Sequence, residues 1–168
     1  STFETVIYEG YGPEGVAVLV EALTDNRNRT ASDVRFLFSK HGGNLGATGA
    51  VAWQFERRGI VLVGADGVDE DALVLAAADA GADDVERDGS TYQVLSTPES
   101  LTAVRQAIES AGFVVESAGL SMVPKTTVEI ADESVARTVV RLVEGLEDND
   151  DVQDVFANFD IPEQVLEA

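Results

Sequence analysis

Between Ile60 and Met122 the hydrophobic period of the chain switches repeatedly between two and nearly four, and the order of those switches leaves few folds open. Ile60 to Val63 is apolar and extended, and Glu70 to Ala80 is an Ala-rich helix. Asp83 to Arg87 and Thr91 to Ser96 are strands flanking the turn Asp88-Gly89-Ser90. Glu99 to Ala111 is a second helix, and Val114 to Met122 is extended again. The order is strand, helix, strand, strand, helix, strand. It predicts an antiparallel four-stranded sheet with both helices on one face, the ferredoxin-like or split βαβ arrangement of an α+β protein.

The flanking sequence follows a related plan. Thr5 to Tyr8 and Gly15 to Leu23 read as a hairpin turning at Gly10 to Gly15, with Val16, Val18 and Val20 on one face. Thr30 with Asp33 resembles a capping box, and Val34, Leu37, Phe38 and His41 keep helical spacing up to Gly42-Gly43, which predicts a helix from Thr30 to His41. Ala50 to Glu56 alternates as a strand with Val51, Trp53 and Phe55 on one side. That pattern puts Trp53 in a core; a base-stacking platform beside Arg57 and Arg58 is the other use of an indole there. After Pro124, Thr126 to Ile130 is extended, Asp132 or Ser134 caps a helix to Glu147, and Val152 to Phe159 is strand-like. This last piece is too small to bury a core alone, so it is expected to pack back on the first unit and close one sheet. The resulting expectation is two ferredoxin-like α/β sandwich units, one inserted into the other. Residues 1–63 with 123–168 form a discontinuous domain, and residues 64–122 form the inserted one.

Charge narrows the partners. The chain has 11 basic and 31 acidic side chains, a formal net charge of −20, so its surface as a whole repels phosphate backbones and anionic membranes. The acids are concentrated after Gly64, whereas six of the bases fall between Arg27 and Arg58: Arg27, Arg29, Arg35, Lys40, Arg57 and Arg58. A polyanion must be met there, unless those residues only solvate a surface. Cysteine is absent, which excludes disulfides, thiolate metal sites and cysteine nucleophiles and fits a reducing compartment. No apolar run approaches the roughly 20 residues that cross a bilayer, and the first residues lack the pattern of a signal peptide. A cytoplasmic location without membrane contact is expected. The start at Ser1 suggests a piece of a longer protein.

Two segments in the basic region carry candidate chemistry. Thr24 to Thr30 sets two Arg and two Asn between a strand end and a helix start. Guanidinium forks and free helix N–H groups there suit a phosphate backbone, and Asp, Asn and Thr also suit plain capping. Ser39 to Gly49 has Gly at 42, 43, 46 and 49, so its amides could cradle a phosphate beside Lys40, although the GxxxxGK[ST] order is missing; a helix C-cap followed by a turn is the other reading. His41 is the only histidine and has no partners for a triad or metal site. The run Glu147 to Asp151 lacks the EF-hand spacing and reads as a solvated turn. No metal, no cofactor and no catalytic set is expected. The candidate nucleic-acid-binding residues are Arg27, Asn28, Arg29, Lys40, Asn44, Arg57 and Arg58.

GYGPEGVAVLVEALTDNRNRTASDVRFLFSKHGGNLGATGAVAWQFERRG, Gly10 to Gly59, resembles the signature region of the YebC/PmpR family, and LEDNDDVQDVFANFDI, Leu146 to Ile161, resembles that family's C-terminal end. Relatives include a mitochondrial translational activator of a cytochrome oxidase subunit. The resemblance implies a three-domain protein whose basic N-terminal helical domain precedes Ser1. It also implies a non-enzymatic regulator of gene expression. Some members are named as DNA-binding transcriptional regulators and others as ribosome-associated translation factors. With its net negative charge this chain is expected to meet ribosomal or transfer RNA, or the ribosome, better than DNA, which would need the N-terminal domain. A DNA-binding transcriptional regulator is the alternative. A small-molecule-sensing module, by analogy with other ferredoxin-like domains, is the alternative of another class.

Overall fold

Val18 and Val20 alternate inward along the strand Ala17–Thr24 (β2), and their burial draws a sheet together around it. The computed structural model describes residues 2–166. Glu4–Tyr11 (β1) pairs antiparallel with β2 along its whole length, from Glu4 opposite Thr24 to Tyr11 opposite Ala17. The turn between them is the short 3-10 segment Pro13–Gly15, in which Glu14 itself takes a left-handed conformation. Helix Arg27–Lys40 (α1) follows, then the two-residue strand Asn44–Leu45 (β3) on the outer side of β1.

The chain folds as two compact units, Ser1–Glu56 with Pro124–Ala168, and Arg57–Val123. Strand Phe55–Gly64 (β4) leads into the second unit. It continues with helix Glu70–Asp79 (α2), strands Asp84–Asp88 (β5) and Thr91–Ser96 (β6), helix Leu101–Ser110 (α3) and strand Val115–Pro124 (β7). Strand order is β5-β6-β4-β7, and β6 pairs antiparallel with both β4 and β5. This is the split βαβ arrangement. Val61, Val63, Tyr92 and Val94 from the sheet meet Leu73, Ala77, Val104 and Ile108 from the helices in one core.

The remaining elements complete the first unit. Val128–Glu129 (β8) is followed by helix Glu133–Glu147 (α4), strand Val152–Ala157 (β9), Phe159–Asp160 (β10) and the short helix Glu163–Leu166 (α5). Strand β9 pairs antiparallel with β2, giving the order β3-β1-β2-β9 with the hairpin at the centre. Strands β8 and β10 pair with each other in parallel. Helices α1 and α4 bury Val34, Phe38, Val139, Leu142 and Leu146 with Val16, Val18 and Val20. Close packing forces glycine at position 10, where an added Cβ would stand 2.7 Å from the Phe38 ring.

Three local expectations change. Helix α1 starts at Arg27, not Thr30. Asn26, not Thr30, is its N-cap, because the Asn26 side chain accepts from the Arg29 N–H, and Thr30 is buried inside the first turns. Ala50 to Gln54 is not a strand: Ala52–Gln54 is a 3-10 turn that buries Val51 and Phe55 and leaves Trp53 66% exposed, so the indole is not core. Asp151 in the acidic run is no merely solvated turn residue; its side chain is 13% exposed and internally bonded. Leu142→Ala is expected to cost about 2–5 kcal/mol as a cavity in the first core. Leu75→Ala, on the exposed side of α2, should stay within about 0.5 kcal/mol. Urea unfolding of the two variants checks both.

Candidate nucleic-acid interface

Arg27 and Arg29 stand in the first turn of α1, at the positive end of the helix dipole, a place where cations are unfavourable unless carboxylates surround them. Carboxylates do. Arg27 Nη1 donates to Glu4 Oε2 at 3.2 Å. Arg29 Nη2 donates to Asp25 Oδ1 and Asp151 Oδ1, both at 3.1 Å, and its Nε reaches Asp151 Oδ2 at 3.4 Å. The Asp151 hydrogen bond, followed by that of Asp25, holds the Arg29 guanidinium above its ordinary pKa. The Thr30 hydroxyl lies 2.8 Å from Asp151 Oδ2 and 2.8 Å from the buried Thr24 hydroxyl, so Asp151 ties the start of β9 to the start of α1. Arg29 is therefore a fastening of the fold.

The glycine-rich loop has likewise found its anion within the chain. Glu9 on β1 is 5% exposed, and its carboxylate accepts the N–H groups of Gly49 at 2.6 Å, Ala52 at 2.7 Å and Val51 at 3.0 Å. Burial raises the Glu9 pKa, but the three backbone donors from Gly49, Ala52 and Val51 outweigh it and hold the carboxyl below its usual range. The amide of Gly46 donates to the Glu9 carbonyl, that of Gly43 to Phe38 and that of Gly42 to Ser39. All four glycine amides are thus taken, and the loop is not a phosphate cradle. The same pull on Val51 and Ala52 curls the segment into the 3-10 turn that turns Trp53 outward.

Arg57 and Arg58 belong to the second unit, apart from the unit that holds Arg27, Asn28, Arg29, Lys40 and Asn44. Arg58 donates to the Ser96 carbonyl at 3.1 Å and to Asp83 at 2.9 Å, a tie within that unit. Arg57 is exposed. In the first unit, Asn28 is exposed on the first turn of α1, Lys40 closes its last turn, and Asn44 is exposed on β3 just beyond.

Helical spacing then adds Ser32, Arg35, Phe36 and Ser39, which were not among the candidate binding residues, to Asn28 and Lys40. Asn28, Ser32, Arg35, Phe36, Ser39 and Lys40 are all exposed; from 28 to 32, 32 to 35 or 36, and 35 or 36 to 39 or 40 the steps are about one turn, so they form one outward stripe about 20 Å long. The stripe carries no acid: Asp33, the only carboxylate of α1, accepts from Asn149. Arg35 has no ion pair among the described residues. Lys40 Nζ lies 6.0 Å from the centroid of the Phe36 ring, which is 63% exposed. Burial, then the charges of Lys40 and Arg141, lower the His41 pKa, so His41 adds no charge at neutral pH. Arg141, exposed on α4 in the acidic C-terminal third, is near enough for its charge to act on His41. The signal for Arg35 and Phe36 was the helical period counted from Asn26.

Fold and surface define a two-unit α+β protein of net charge −20 in which one helix face bears cations without ion pairs among the described residues. The chain belongs to the TACO1/YebC family: residues 3–159 match the model of its second and third domain. It is 58% identical over 164 residues to a probable transcriptional regulatory protein of Rubrobacter xylanophilus, covering 98% of this chain and 65% of that one. A probable transcriptional regulatory protein, DP2908, of Desulfotalea psychrophila is 51% identical over 98% of this chain and 66% of its own length. The chain thus spans about two thirds of the length of these relatives. The crystal structure of a conserved hypothetical protein, Aq1575, of Aquifex aeolicus superposes with a TM-score of 0.87 at 49% identity, covering 98% of this chain and 68% of that one. No helix among the described residues is long and apolar enough to cross a membrane.

Glu9→Gln should loosen the loop and lower stability by about 1–3 kcal/mol at neutral pH. Because the folded pKa of Glu9 is depressed, its contribution is present above the unfolded carboxyl pKa and is lost as pH falls through the folded value. The gap between wild type and Glu9→Gln in urea midpoint should therefore be full at pH 7 and close on acidification. A gap independent of pH would contradict the assignment.

Proposed function

We propose that this chain is the polyanion-contacting part of a regulator of gene expression, and that the contact is the outward stripe of α1. The observation that carries the reading is the combination of Arg35 and Lys40 without carboxylate partners among the described residues in a chain of net charge −20. Elsewhere in the first unit the guanidiniums of Arg27, Arg29 and Arg137 are matched by Glu4, Asp151 and Glu133. Cations left unmatched amid so much acid have a use outside the fold. Asn28 and Asn44, at opposite ends of the stripe, supply neutral donors and acceptors to a backbone or a base.

RNA, free or in the ribosome, is the favoured partner. The N-terminal turn of α1, which a helix-turn-helix protein would insert into the major groove, holds its two arginines in carboxylate pairs. The contact is then to phosphates, and it positions more than it specifies. The relatives' description as probable transcriptional regulatory proteins favours a second reading, contact with duplex DNA in transcription.

Arg35→Glu with Lys40→Glu tests the site at two exposed residues whose side chains make no hydrogen bond or ion pair among the described residues. RNA affinity should fall roughly tenfold or more, and two lost phosphate contacts should reduce the slope of log affinity against log salt by about 1.4 for a single strand or about 1.8 for a duplex. Anisotropy titrations over a salt series measure both, and co-sedimentation with ribosomes against binding to promoter duplexes separates the two partners. Unchanged affinity for every ligand, with circular dichroism unaltered, would remove α1 from the interface. Arg29→Glu is the wrong probe, since it breaks the Asp151 tie.

A further inference from the structure

We propose that the Phe36 ring is a stacking platform for an unpaired nucleobase, so that α1 takes a single-stranded polynucleotide in preference to a duplex. The inference rests on the polyanion reading of the same stripe. Its ground is the placement of two phenylalanines in one helix. Phe38 is fully buried, beneath the Gly10 contact, whereas Phe36, two positions earlier, is 63% exposed and belongs to no core cluster. Packing does not demand an aromatic residue at position 36.

The surroundings of the ring indicate what covers it. Lys40 stands one turn on with its ammonium 6.0 Å from the ring centroid, and Arg35 is adjacent in the chain. An apolar protein partner would have to desolvate both cations without a counter-charge. A nucleotide brings the matching groups together: a flat base for the ring and phosphates for Lys40 and Arg35. A duplex offers only base edges in its grooves, so the face of a phenyl ring has nothing to stack on there unless a step is unstacked. Trp53 is equally exposed, yet its indole N–H is bonded to the Ala50 carbonyl at 3.1 Å and no cation stands over it among the described residues. Phe36 is the aromatic residue with the phosphate-binding partners.

The test is fluorescence anisotropy of the full chain with short oligo(A) RNA, oligo(dA) and an oligo(A)·oligo(U) duplex, using Phe36→Ala, Phe36→Trp and the Arg35→Glu, Lys40→Glu pair. Phe36→Ala should weaken both single strands about tenfold, Phe36→Trp should retain or tighten them, and duplex affinity should change less than about twofold. Equal weakening of strand and duplex by Phe36→Ala, or no weakening at all, overturns the stacking assignment. If the charge-reversed pair then still loses affinity, the polyanion reading stands without stacking. If the pair is silent as well, both fall. Because Phe36 packs in no core cluster, the alanine variant is expected to keep the wild-type unfolding midpoint.

Discussion

Asp151 fastens the first unit at the point where two distant parts of the chain meet. Its carbonyl accepts from the Leu23 N–H, and its carboxylate accepts from Arg29 and Thr30, so the C-terminal strand β9 and the N-terminal helix α1 are registered against β2 by one residue. Without that strand, β2 would expose an edge and the helices would have a narrower sheet to cover. The fold of a discontinuous unit depends on such ties, because its two parts are separated by the whole of residues 57–123. Asn158 adds a second one: its side chain accepts from the Ala17 N–H at 2.8 Å while lying almost wholly buried.

The excess acid is therefore a structural resource as well as a surface charge. Glu9 holds three amides of the loop after β3, Asp132 caps α4 through the N–H groups of Ser134 and Val135, Asp69 caps α2, and Asp83 fixes Arg58. Each carboxylate used internally also consumes donors that a phosphate could otherwise have taken. The glycine loop and the first turn of α1 had the right chemistry for an anion and were satisfied from within.

This division explains what was legible in the sequence. Residues 60–122 were readable because each element there is long, periodic and bounded by its own turn residues, as in Glu70–Asp79 and the Asp88 to Ser90 turn. The hairpin and the return of the C-terminal strand were readable for the same reason. What failed was local structure set by a distant side chain. Nothing near Ala50 announces that Glu9, some forty positions earlier, will bend the backbone there and expel Trp53. Thr30 resembled a cap because Thr and Asp three apart do cap helices; that Asn26 does it instead follows from the Thr24 hydroxyl accepting from the Asn26 N–H at 2.9 Å. Among the candidate site residues, clustering in the sequence identified Lys40, Asn28 and Asn44 on or beside one helix, but it could not separate Arg35, which has no ion pair among the described residues, from Arg29 and Arg58, which are bound.

A protein of this charge can still hold a polyanion, for a reason of length scale. At physiological salt the Debye length is about 8 Å, shorter than the roughly 20 Å stripe of α1, so a phosphate resting on Arg35 and Lys40 senses those cations far more than the carboxylates of remote surfaces. At low salt the screening length grows and the net −20 opposes approach from a distance. Salt weakens both the attraction at the stripe and the repulsion from the body, but it removes the repulsion first, because that acts from beyond a Debye length. On the proposed reading, a phosphate is held at the stripe once it is close, and the net charge opposes its approach from a distance, most strongly at low salt. On the same reading the acidity and the α1 stripe work together, the first limiting where the second is able to act.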